Sequence, residues 1–338
     1  MNPNQQAYND ILQRIRAMEK QLQADIAYFM QNLTKDAPIY AAQHKKLMPA
    51  SLSDMFEQTT KTFKATARDT QDVYYDETPD NQLKTAYYQN ISFDATNDEL
   101  LGNIKHLVAN THKNQLPYSQ SKKELHSRVD LHEDGKARSI YSGKSLERDY
   151  LIAQDLFYEA AVRKELTKYD TLRAVNAQTM TPLDSILAAL SLNVEHVIPQ
   201  SWFDKASPMV GDLHHLFTCE MNCNSFRSNI PYYDFEDYNP SAAKEMIRND
   251  CGKRDGEERF EPQNGKGAVA RATMYFLIRY PDKLPKERIR LIDMAMLYKW
   301  HQENPVTVYE KRRNWLIHQL QGNRNPFIDY PDTANILL

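Results

Sequence analysis

The 39 residues from Asn193 to Pro231, NVEHVIPQSWFDKASPMVGDLHHLFTCEMNCNSFRSNIP, constrain this chain more than any other stretch. Val194–Ile198 has the composition of a short strand, and Pro199 ends it because proline has no N–H to give a ladder. Successive strand side chains face opposite ways. Glu195 and His196 can therefore serve one site only at a strand end or bulge, and the proline just downstream supplies an end. His214–Phe217 reads as a second strand beside the first. A helix opening near Cys219–Cys223 then carries Asn224 and, one turn later, Arg227.

The residue types in this unit point to metal-assisted phosphodiester chemistry. Glu195 offers a hard carboxylate oxygen and Asn224 a neutral amide oxygen, both suited to Mg²⁺, which keeps several waters besides. His196 offers a base whose ordinary pKa lies near neutrality. Asp212 has two readings: a hydrogen bond to a ring nitrogen of His196, fixing its tautomer, or a cap on the turn into the second strand. His214 and His215 flank one another, so one of them should face inward toward a catalytic or phosphate-contacting position. Arg227 reaches either a phosphate or a carboxylate that orders the motif. Arg271 sits in an otherwise apolar helix, where an unpaired guanidinium is costly, so it needs a carboxylate or a phosphate.

Several motifs in one order, EHVIPQSWF, DLHHL, N-x-x-R-S-N-x-P, GAVARATMYFLIRYP (267–281) and QGNRNPFID (321–329), resemble the bacterial endonuclease I family of sugar-non-specific nucleases. Upstream, YYQNISFDATNDELLGNIKHLVANTH (87–112) and KARSIYSG (136–143) are similar to the family's opening portion. The resemblance implies a ββα-metal (His-Me finger) core. In it His196 is the general base, assisted by Asp212 and Arg227, and Glu195 and Asn224 hold one Mg²⁺, with Mn²⁺ or Ca²⁺ able to stand in. His214, His215 and Arg271 are the further candidates for phosphate contact. The implied substrates are DNA and also RNA, cut with little sequence preference. Two alternatives stay open: a defence or effector nuclease directed by sequence or by a partner, and a decayed nucleic-acid-binding protein. The intact Glu195, His196 and Asn224 argue against decay.

Only 9 glycines against 20 tyrosines in 338 residues favour helices over a sheet sandwich. The expected fold is α+β, predominantly helical, with the nuclease core in 85–338 and a helical extension in 1–84. In the extension, Tyr8, Ile11, Ile15, Met18, Leu22, Ile26, Phe29 and Leu33 form one apolar stripe. A second helix opens at Ser51. These two helices could bury their stripes on each other, on the nuclease part, or on a second copy or a partner protein. Residues 69–90 read as a linker. Further helices are expected over Asn97–Asn110, 148–169, Gly267–Tyr280 and Lys286–His301, and one opens on the Thr307/Glu310 capping box. Asn323–Tyr330 reads as an irregular, docked tail.

Net charge is −3, with 17 basic and 13 acidic residues in 241–338 against 15 and 21 in 85–240. A basic surface beside an acidic metal pocket suits a nuclease, although ordinary solvated faces explain such imbalances equally well. No apolar run reaches membrane-spanning length, so no membrane association is expected. The first twenty residues lack the pattern of a secretory signal. With an odd set of cysteines, Cys219, Cys223 and Cys251, the expectation is a cytoplasmic protein with free, buried thiols, export by a signal-independent route being the alternative. Cys219-x₃-Cys223 looks like half of a zinc knuckle, but a structural zinc needs four ligands, so none is expected.

Overall fold

The computed structural model describes residues 73–148, 151–152, 155, 194–236, 238, 247–248, 250–256 and 258–338. The helices expected over 8–33, from Ser51 and over most of 148–169 lie outside the described residues. So does the oligomer or partner surface assigned to the N-terminal helices.

Helix α1 (Glu77–Tyr87) starts where the Asp76 side chain accepts from the Thr78 N–H, and it runs through what reads in sequence as a linker. It is held there by charge: Asp80, buried, pairs with Arg324 at 2.8 Å. Helix α2 (Asn97–Thr111), capped by Thr96, buries Leu100, Ile104 and Val108, one face at four-residue spacing. Helix α3 (Tyr118–Glu124) leads into a π-helical turn, Leu125–Val129.

Helix α5 (Lys266–Arg279), apolar nearly all round as its sequence requires, buries ten of its 14 residues and forms the centre of the core. It packs against α2 and against α7 (Met294–Glu303). Lys286–His301 is not one helix. A short α6 (Lys286–Ile289) stops, and Asp293 restarts the chain as α7 by accepting from the Met296 N–H. Helix α8 (Val308–Gln321) has the Thr307/Glu310 capping box complete at its start. It ends on Gly322 at φ +92°, where a Cβ would lie 2.5 Å from the Thr111 carbonyl oxygen. The tail after it is regular after all. Pro326 opens helix α9 (Pro326–Asp329), and the fully buried Arg324 grips Asp329 as well as Asp80.

Three small antiparallel sheets complete the fold. Strands β1 (Ala137–Arg138) and β2 (Ser145–Leu146) pair. Strand β3 (Val194–His196) pairs with β4 (Leu216–Thr218) in the register Glu195 opposite Phe217 and His196 opposite Leu216. Strands β5 (Ile247–Arg248), β6 (Gly252–Asp255) and β7 (Arg259–Pro262) form a meander. Helix α4 (Met221–Arg227) directly follows β4. The fold is thus α+β and helix-rich. The described parts of 73–146 and 191–338 make one compact unit, and none of their helices is long and apolar enough to cross a membrane.

The cysteines depart from expectation. Cys223 and Cys251 form a disulfide, tying α4 to the chain just ahead of β6, and only Cys219 is a free, buried thiol. Parity could not show this, since three cysteines leave one over in either case.

Candidate active site

Glu195 and His196 lie on β3 where the sequence requires them, with His196 the last strand residue. The ring of His196 is fixed from both nitrogens. Its Nε2 lies 3.0 Å from the Val210 carbonyl oxygen and its Nδ1 lies 3.1 Å from the Gln200 side-chain nitrogen. A carbonyl oxygen only accepts, so Nε2 carries the hydrogen and the Nδ1 lone pair receives the Gln200 N–H. Tyr118 stacks on the ring at 5.5 Å, and His215 meets it edge-on at 5.5 Å. Burial holds the His196 pKa well below its ordinary value, with His215 and Arg227 adding to the effect and the Val210 bond opposing it. The imidazole is therefore neutral, as a base must be.

Glu195 is buried to 1% exposure. Its Oε1 lies 2.9 Å from Arg227 Nη1, yet that oxygen has no aligned hydrogen-bond partner. The guanidinium directs its hydrogens to carbonyls instead. Nη1 donates to His196 O and Ser228 O, and Nη2 donates to Val197 O at 2.7 Å. Burial pushes the Glu195 carboxyl up to about 7, while Arg227 and Tyr141 pull against it. Asn224, on α4, donates its side-chain N–H to the Val194 carbonyl at 2.9 Å, which clamps the helix onto β3.

Four candidate positions, Arg227, Asp212, the His214–His215 pair and Arg271, take the structural one of the readings open to them. Arg227 is buried, with Tyr232 beneath its guanidinium at 4.8 Å, so it orders the end of β3 and does not reach outward to a phosphate. Asp212 does not touch the His196 ring. It caps the 3₁₀ turn Leu213–His215 by accepting from the His214 N–H at 3.0 Å, which is why β4 begins only at Leu216. Its other acceptor positions take the hydroxyls of Tyr275 and Tyr280 and the side-chain N–H of Gln321. His214 and His215 are buried, and their Nε2 atoms lie at 3.3 and 2.6 Å from the carbonyls of Asn323 and Met209, so neither faces a phosphate. Arg271 finds the carboxylate its apolar helix demanded, in a two-pronged pair with Glu310 at 2.7 and 2.9 Å.

The chain from Val194 to Arg227 thus places Glu195 and His196 on β3, ties Asn224 to Val194 of the same strand, and turns Asp212, His214 and His215 into the core. Sequence reasoning missed Gln200 and the Val210 carbonyl. A glutamine four residues after His196, just past the strand-ending proline, was a usable signal for the first. Nothing in a sequence signals which backbone carbonyl a ring nitrogen will meet.

A profile of the Endonuclease I family matches residues 81–332. The chain belongs to that family. Among its relatives, an extracellular ribonuclease of Bacillus amyloliquefaciens is 33% identical over 159 residues, 42% of this chain and 52% of the relative. A periplasmic deoxyribonuclease of Aeromonas hydrophila is 30% identical over 166 residues, 42% of this chain and 64% of the relative. A protein of Buchnera aphidicola named Endonuclease-1 is 32% identical over 120 residues, 35% of this chain and 45% of the relative. This endonuclease I family chain thus spans about half the length of the curated relatives it matches. The cytoplasmic expectation does not survive the comparison. Relatives bear the names extracellular and periplasmic, and the Cys223–Cys251 bond is of a kind that persists in oxidising compartments.

Proposed function

We propose that this endonuclease I family protein hydrolyses phosphodiester bonds in DNA and RNA, with little sequence preference, in an extracellular or periplasmic setting. The observation that carries the proposal is the geometry of His196, whose Nε2 lies on the Val210 carbonyl, so that Nδ1 is the proton-accepting atom, and burial favours the neutral ring. In this reading β3, β4 and α4 are the ββα-metal core. Water attacking a phosphorus atom gives its proton to Nδ1. Arg227 keeps the strand end in place by holding the carbonyls of His196 and Val197. Substrate breadth follows if contacts fall on phosphates, which position a strand without reporting its sequence.

The residues fit a divalent cation. Glu195 Oε1 is a buried carboxylate oxygen without a hydrogen-bond partner. The Asn224 amide donates its N–H to Val194, and its oxygen is of the neutral amide type that Mg²⁺ accepts. Among the described residues no three His, Cys, Asp or Glu side chains converge to hold a metal. A two-ligand site therefore suits Mg²⁺, which keeps most of its waters. When bound there, the ion would polarise a phosphoryl oxygen and stabilise charge on the leaving oxygen.

The test is cleavage of supercoiled plasmid and of total RNA, with Mg²⁺ and with EDTA, by the full chain and by His196→Ala. The expected result is Mg²⁺-dependent loss of both substrates, reduced roughly 10²- to 10⁴-fold in the variant, the usual contribution of a general base. A folded His196→Ala protein that cuts at the normal rate would remove the basis of the proposal.

A further inference from the structure

We propose that the segment from Lys283 to Arg290 is a phosphate-binding surface, along which the nucleic-acid strand flanking the scissile bond lies. The inference rests on the nuclease reading and adds to it a place for the substrate. The run KLPKERIR carries four cations, Lys283, Lys286, Arg288 and Arg290, against one acid, Glu287. Lys283, Lys286 and Arg290 are exposed and Arg288 is half-buried. Among the described residues none of the four is paired with a carboxylate. Other exposed cations are: Arg138 holds Asp134, Lys299 holds Asp234 and Lys311 holds Glu77. Like charges left side by side repel one another, and a polyanion relieves that repulsion.

The segment is held by its backbone and by Leu284, which is buried. The Pro285 carbonyl accepts from the Arg288 and Ile289 N–H groups at 2.9 and 3.1 Å. Its position ties it to the candidate site. The Arg288 guanidinium lies 5.5 Å from the centre of the Trp202 ring. Trp202 ends the 3₁₀ turn that begins at Gln200, whose side-chain N–H meets His196 Nδ1 at 3.1 Å. Leu291 and Ile292, directly after the run, line one small cavity with Val197, Ile198 and Arg227. The nuclease reading already brings a polyanion to His196, beside this surface. An anionic membrane would also attract the cations, and Ile289 and Leu291 are 41% and 42% exposed. Yet α6 is a single turn of four residues, without the apolar face that an interfacial helix buries.

The test is binding of a short duplex DNA by the full-length His196→Ala chain in EDTA, over a salt series, so that cleavage does not enter. On that background Lys283, Lys286 and Arg290 are changed together to Gln. Arg288 stays, because it packs on Trp202. Each phosphate contact adds about 0.9 to the slope of log K against log salt, so the triple variant should be shallower by about 2 to 3. Its affinity near 0.1 M salt should fall roughly 10- to 100-fold. Glu287→Gln, which removes the one acid, should move affinity the other way. Thermal unfolding checks that each variant is folded. Changing Arg138, Lys299 and Lys311 to Gln alters net charge by the same amount and should shift the slope by less than about one. An equal loss in that control would make the effect one of net charge, and a slope unchanged by the first triple variant would show that no phosphate lies there. Either result overturns the surface while the nuclease reading stands. Phosphatidylserine-rich vesicles sedimented with the same chains give the remaining outcome. Capture that the first triple variant alone loses, with DNA binding intact, would assign the face to a membrane. A parent chain that binds neither DNA nor RNA would remove the nuclease reading and the surface with it.

Discussion

Two carboxylates in the same segment, Glu195 and Asp212, are buried to 1% and 0% exposure, and their surroundings could hardly differ more. Asp212 accepts from two tyrosine hydroxyls at 2.7 and 2.8 Å, from Gln321 at 2.9 Å and from the His214 N–H at 3.0 Å, with His112 3.8 Å away. Burial alone would push its carboxyl up. His112, His214, His215 and Gln321 outweigh burial and hold it well below the ordinary carboxylate range. Glu195 has one guanidinium beside it, an oxygen without a hydrogen bond, and a carboxyl pushed up to about 7. A saturated buried acid is a structural joint. An unsaturated one is costly, and under the proposed function the partner it lacks is a cation.

The largest expected effect tests that contrast at the site. Glu195→Ala and Asn224→Ala should each reduce cleavage at low Mg²⁺ by more than the roughly 10- to 100-fold that loss of an outer-shell partner costs, because both residues are proposed as ligands. Activity should recover in part as Mg²⁺ rises, with the protein still folded. If added Mg²⁺ helps them no more than it helps His196→Ala, the division between ligand and base is wrong. Asp212→Asn should do the reverse. It turns an acceptor into a donor facing Tyr275, Tyr280 and Gln321, and should lower unfolding free energy by about 3 kcal/mol or more, measured by urea denaturation, with no rescue by Mg²⁺.

The sequence made one side of this contrast legible and left the other dark. Helix α5, the Thr307 capping box and the strand–strand–helix order around Glu195 and Asn224 follow from local pattern: apolar positions, a cap, a proline. Asp212 could not be resolved between a histidine partner and a turn cap, because its donors come from Tyr275, Tyr280 and Gln321, far along the chain. Arg324 reads as part of an irregular tail, yet its partner Asp80 stands 244 residues away. Arg227 was readable as a residue that orders the motif. That it would use carbonyls for this depends on backbone atoms, which carry no residue identity.

A disulfide separates the two regions further. Cys223 lies on α4 beside Asn224 and is joined to Cys251, 28 residues on, while Asp212 lies on the other side of β4. Cys251→Ser should lower stability by about 2–4 kcal/mol. It should also raise the Mg²⁺ concentration needed for half-maximal cleavage, since α4 is loosened against β3. A loss of stability with an unchanged Mg²⁺ requirement would mean that the Asn224–Val194 bond alone positions the helix.

The pH response is the most discriminating, because the two acids should respond with opposite sign. The Glu195 pKa in the fold, about 7, lies above the unfolded value of about 4.3. The stability that its protonated form contributes is therefore present below about pH 4.3 and is lost as pH rises through about 7. Asp212 is held below its unfolded value of about 3.9, so its contribution is present above that pH and is lost as pH falls further. Buried histidines held neutral, His196, His214 and His215 among them, also lose stability on acidification. The readout must then be a difference. In EDTA, the urea midpoint of Glu195→Gln minus that of the wild type should increase between about pH 4.5 and 7, since the histidines cancel and only the carboxyl differs. Adding Mg²⁺ at pH 7.5 should close the gap by stabilising the wild type through mass action. A difference that stays flat across the range would make Glu195 an ordinary ion-paired acid, no less satisfied than Asp212, and would remove the physical reason for placing a cation beside it.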